Sequence, residues 1–151
     1  MALGLFLTAC ASSFNTPNAK GYYASSPKQC VPYAREVSGI QLYGDAHTWW
    51  HQAHPPLSRS NTPRPGSVLV LARTNAMRHG HVAVVKSVLS SRDITVTHSN
   101  WGNNRKNRRI IYESVRAQDV SSMNNWSQIR FWNYDTGAFG RPYAAMGFIS
   151  R

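Results

Sequence analysis

From Ser67 onward the chain changes period, and that change limits the folds open to it. Ser67 to Ala72 and His81 to Leu89 are Val-rich runs joined by a polar segment, Arg73 to Gly80. Asp93 to His98 alternates through Ile94, Val96 and His98, while Ile110 to Val115 and Gln128 to Trp132 read as two more strands. Branched apolar side chains in short runs, or at a spacing of two, suit a pleated and partly buried surface. Upstream the signals are helical. Cys30 to Val37 opens a short helix, with Pro32 in the first turn, Gly39 at the stop and an apolar stripe of Val31, Ala34 and Val37. Asp45 to His51 reads as a second short helix, with Asp45 as N-cap and Trp49 and Trp50 turned inward. Four prolines between His54 and Gly66 make a loop. Helices first and then neighbouring strands predict an α+β fold with an antiparallel sheet of about five to six strands. The aromatic, Gly-rich tail from Trp132 to Ile149 closes that sheet with a last strand or a wrapped loop. An alternative for the tail is that Trp132 and Tyr143 line a groove for glycan or peptide.

The chain has 151 residues, the size of one domain, and its 42% apolar content with 15% charged residues excludes a disordered chain. Its 17 Lys and Arg stand against 6 Asp and Glu, a formal +11 that calls for an anionic partner such as a wall polymer, acidic lipid or nucleic acid. Ala2 to Ala9 is almost wholly apolar and ends in Leu7-Thr8-Ala9-Cys10, the pattern of a lipobox whose cysteine is cleaved at and acylated. Only nine residues precede Cys10 and none is basic, so an ordinary apolar segment is the other reading. Residues 1–10 are accordingly expected to be a lipoprotein-type signal segment, residues 11–27 a Ser-, Asn- and Pro-rich tether, and residues 28–151 the folded domain. That places the protein at a bacterial cell envelope, anchored through Cys10 or secreted.

A cysteine at a helix start sits where unpaired N–H groups and the helix dipole favour the thiolate. A histidine on a later strand can serve as its base, and a polar residue on the next strand can hold the imidazole in one tautomer. The chain supplies these in order: Cys30, then His81 in Gly80-His81-Val82-Ala83-Val84-Val85, then His98-Ser99-Asn100-Trp101.

With Gln29-Cys30-Val31-Pro32-Tyr33-Ala34, Gly44-Asp45-Ala46-His47-Thr48-Trp49 and Pro63-Arg64-Pro65-Gly66-Ser67-Val68, these blocks resemble the CHAP domains, the cysteine, histidine-dependent amidohydrolases/peptidases. The resemblance runs from about Lys28 to Gly102. It implies a papain-like fold and hydrolysis of an amide bond in peptidoglycan, as an N-acetylmuramoyl-L-alanine amidase or a peptide endopeptidase. It also implies Cys30 as nucleophile, His81 as base, and Gln29 and Trp101 at the oxyanion and substrate positions. The third catalytic position departs from the family: many relatives place Glu where His98 stands, and Asn two residues on, here Asn100. Both are candidates, and on a strand both would face the same side. Ser67 is a second departure, since relatives usually carry Asp there to stabilise the turn. The chemistry implies no cofactor, and the domain is expected to act as a monomer.

Other readings compete with these. His47 and His51 have the spacing of a zinc-binding helix, but Thr48 stands where the general-base glutamate belongs, so no metal is expected. His79 reads as a loop residue near the mouth of the site. Arg105, Lys106, Arg108 and Arg109 beside Trp101 suggest single-stranded nucleic acid, yet a solvated loop or a contact with wall polymer or anionic lipid fits better, so nucleic acid is not the expected partner. A Cys10–Cys30 bridge would consume both the nucleophile and the lipid acceptor. The rival function is a wall-binding module of the same fold without catalysis.

Overall fold

Nine strands and two short helices follow from these patterns in a computed structural model that describes residues 21–151. In chain order they are β1 (Gly21–Tyr23), α1 (Cys30–Ser38), α2 (Trp49–Gln52, entered through a 3-10 turn at Ala46–Thr48), β2 (Ser58–Ser60), β3 (Val68–Leu71), β4 (His81–Val88), β5 (Asp93–Ser99), β6 (Ile110–Asp119), β7 (Gln128–Asn133), β8 (Ala138–Phe139) and β9 (Tyr143–Ser150). Helix α1 ends where expected: Gly39 takes φ 73°, and its N–H bonds back to the Arg35 carbonyl. Asp45 does not cap the following turn with its side chain. The proline loop is not wholly irregular, since β2 lies in it and pairs with β9. Residues 21–23, within the stretch expected to be a tether, form β1 against β6. The lipobox and the rest of the N-terminal segment up to residue 20 lie outside the described residues.

The sheet closes on itself. Strands β3, β4, β5, β6, β7 and β9 pair antiparallel in that circular order, because β6 meets β7 at Ala117 to Asp119 and β9 returns to β3. The expected papain-like α+β arrangement of helices on a five- to six-stranded sheet is therefore corrected. The described residues are mostly β, 40% strand and 15% helix, with a closed six-strand antiparallel barrel plus extra strands. Register shifts near Val85, Val96 and Val70 are bulges that sharpen strand bending, which a barrel this small requires.

Alternation explains why β3 and β4 read as unbroken Val runs. Leu69, Leu71, Ala83 and Val85 point into the barrel with Ile94, Val96, Ile129, Phe131 and Phe148. Val68, Val70, Val82 and Val84 point outward against Ala34, Ile40, Trp49 and Ala53 of the helical layer. Strands buried on both faces lose the polar half of the period. Helix α1 is also fixed to β5: Thr97 Oγ1 donates to the Tyr112 carbonyl at 2.8 Å, so the Tyr33 hydroxyl must donate to Thr97 Oγ1, 2.7 Å away.

Candidate active site

At one end the barrel stays open. Strand β6 pairs with β1 near its start and with β7 only near its finish, so its first half and the end of β7 part around a cavity of about 1170 Å³. Each sequence-predicted residue of the constellation lines it: Gln29, Cys30, His81, His98, Asn100 and Trp101.

Cys30 is the first residue of α1, and Gln29 before it is extended at φ −71° and ψ 152°. The backbone N–H groups of Val82, Val31 and Cys30 lie near the thiol and pull its pKa down. Burial nevertheless pushes the thiol up, outweighing those donors. His81 begins β4 just after Gly80, whose φ of +69° no side chain could share, because a Cβ there would lie 2.8 Å from both the His47 nitrogen and the Leu71 carbonyl oxygen. In the alternation of β4 and β5, His81 falls with Ala83 and Val85, and His98 with Ile94 and Val96, so both imidazoles face the barrel interior. His81 Nε2 and His98 Nδ1 are 2.9 Å apart in a buried hydrogen bond. His98 is packed by Trp101, Tyr112 and Phe131, and its Nε2 has no hydrogen-bond partner among the described residues. Burial pulls the His98 pKa down to about 3. His81 is pulled well below its ordinary value too, first by burial and then by His98. The resting site thus holds a neutral thiol and neutral imidazoles, and no hydrogen bond joins Cys30 to His81.

The strand alternation that would put Asn100 beside His98 stops at Ser99, the last residue of β5. Asn100 follows the end of β5 at φ 55°, a left-handed conformation that asparagine tolerates, and its Nδ2 donates to Gln29 Oε1 at 2.6 Å. That turn lays Trp101 over His81, with ring centres 4.6 Å apart. Ser67 does by other means what an Asp would do in the turn: its Oγ accepts from the Arg64 N–H and donates to the Arg64 carbonyl.

The model of the CHAP domain family matches residues 19–100, more than half of the chain. This chain belongs to the CHAP domain family. CHAP domains are generally amidase or peptidase hydrolases, and membership points to a peptidoglycan hydrolase or another cell-wall-related function. No curated protein matches the chain at a significant level.

The CHAP match ends at Asn100, whereas the cavity continues beyond it. Phe131, Trp132, Tyr143 and the arginines Arg108 and Arg141 all line it, together with Arg78 from the β3–β4 loop. The tail aromatics were legible as candidates because they are large and clustered. Arg108 belongs to the basic run already noted, whereas Arg78 and Arg141 lie in connecting segments with no pattern to mark them. At the mouth, His79 Nδ1 is 2.9 Å from Asp45 Oδ1, which accounts for the carboxylate expected to cap a helix.

Proposed function

We propose that this CHAP domain hydrolyses an amide bond of peptidoglycan with Cys30 as nucleophile and His81 as base. The observation that carries the reading is the buried 2.9 Å hydrogen bond from His81 to His98 in the cavity that Cys30 also lines. With His81 neutral and Nε2–H donating to His98 Nδ1, the other ring nitrogen, Nδ1, is the basic one. It takes the thiol proton as sulfur attacks the carbonyl carbon, so the charge pair forms only along the reaction path. The Cys30 N–H at the start of α1 and Gln29 Nε2 are the donors for the tetrahedral oxyanion, since Asn100 occupies Gln29 Oε1. The His81 imidazolium then returns its proton to the departing amine, leaving a thioester. Water, deprotonated by His81, cleaves that thioester, and the proton returns to sulfur. Asn100 accordingly acts through Gln29, and His98 is the third member of the triad.

The test is digestion of purified peptidoglycan by the chain and by its Cys30→Ala variant, with fragments read by mass spectrometry. Release that disappears in the variant is the expected outcome, and the new termini identify the bond as amidase or endopeptidase. The raised thiol of Cys30 favours a second reading, a wall-binding module without turnover. Binding to several wall types without release by either protein would establish that one instead.

We further propose that Cys10 is acylated and holds the domain at the envelope, on the strength of Leu7-Thr8-Ala9-Cys10. Incorporation of labelled palmitate that persists in Cys10→Ser would refute the anchor.

A further inference from the structure

The segment between β5 and β6 has two sides. One side belongs to the active-site cavity, where Arg108 lies with its Nε donating to the Gly102 carbonyl. The other side carries Arg105, Lys106 and Arg109, which with Tyr23 of β1 line a separate groove of about 380 Å³. These three cations are exposed, and none forms an ion pair among the described residues. Four of the chain's six carboxylates are instead committed elsewhere, in pairs with Lys28, His79, Arg92 and Arg116. Three cations side by side repel one another, and no carboxylate pairs with them among the described residues. Tyr23 is 56% exposed beside them, and Tyr22 is 48% exposed on the other face of the same strand.

We infer that this groove is a docking site for an anionic phospholipid surface, with Arg105, Lys106 and Arg109 meeting the phosphate groups and Tyr23 seated at headgroup level. Cations beside exposed tyrosines match the two-layer chemistry of a membrane interface, charge outside and an amphipathic ring below. Location favours a bilayer over a soluble polyanion. Strand β1 is where the N-terminal segment joins the fold, and the apolar run Ala2 to Ala9 ends twelve residues before Gly21. A stretch of that length spans at most roughly 40 Å, so anything that holds the run at a bilayer keeps this face of the domain near it. The site is independent of the hydrolase reading, because it shares no residue with the catalytic constellation.

The experiment is co-sedimentation of the full chain with phosphatidylcholine vesicles, with and without a minority of phosphatidylglycerol. The parent is compared with Arg105→Gln/Lys106→Gln/Arg109→Gln and with a charge-matched control, Arg64→Gln/Arg73→Gln/Lys86→Gln, on exposed positions elsewhere. The expected result is that phosphatidylglycerol tightens binding of the parent, and that the groove variant loses about a hundredfold of that affinity while the control loses little. Tyr23→Ser should weaken binding further by a smaller factor. Equal losses in both triple variants would reduce the effect to net charge and overturn the site. Displacement of the parent from vesicles by soluble polyphosphate at equal phosphate concentration would overturn it in favour of a soluble polymer.

Discussion

The resemblance to CHAP domains implies a carboxylate where His98 stands, and a histidine there alters what His81 can do. A carboxylate would hold the His81 imidazolium by charge, whereas neutral His98 only accepts its N–H. The acid limb of kcat/KM, which reports His81 in the free enzyme, is therefore expected below the ordinary histidine value of about 6.5. His98→Glu favours the imidazolium and should move that limb upward by about one unit or more. His98→Ala leaves His81 Nε2–H without its acceptor, and kcat should fall about a hundredfold or more. A pH–rate series on the three proteins decides both points, and an acid limb unmoved by His98→Glu would remove His98 from the triad.

At the scale of elements, the site depends on where α1 is held. Cys30 opens that helix, and the Tyr33 hydroxyl fastens it to Thr97 on β5, one residue before His98. Tyr33→Phe removes the donor and leaves Thr97 Oγ1 still bonded to the Tyr112 carbonyl, so urea unfolding should show a loss of only about 1 kcal/mol. Because the lost bond ties the helix that carries Cys30 to the strand that carries His98, the proposed mechanism expects kcat to fall with little change in KM. A change confined to stability would make the bond structural alone. These elements also show what a sequence can reveal. The helix from Cys30 to Gly39 and the cores of β3, β4 and β5 were legible because apolar spacing and terminal residues are local signals. The barrel was not: closure rests on the pairing of Ala117 with Phe131 and of Val68 with Ile149, distant partners that no local period records. Asn100 lies off the strand for a local reason, since its left-handed backbone follows the last residue of β5.

For the whole molecule, the buried histidine pair makes folding sensitive to acid. His98 titrates at about 3 when folded and at about 6.5 when unfolded, so between these limits the unfolded chain binds the extra proton. The contribution is fully present above about 6.5 and declines as pH falls, by about 1.4 kcal/mol for each unit, until the folded pKa is reached. Urea unfolding across that range should show this slope, with His81 adding in the same direction, and His98→Phe should flatten it. Equal slopes in parent and variant would exclude His98 as the source.

The last strand gives the closed barrel a temporal consequence. During synthesis Cys30, His81 and His98 leave the ribosome well before Phe131 and Tyr143, yet the cavity around them needs β7 and β9 in place. If Cys30 is the nucleophile proposed above, its chamber is complete only once β9 docks, which is a built-in delay. Chains that stop short of β9 would carry Cys30, His81 and His98 without the full chamber around them.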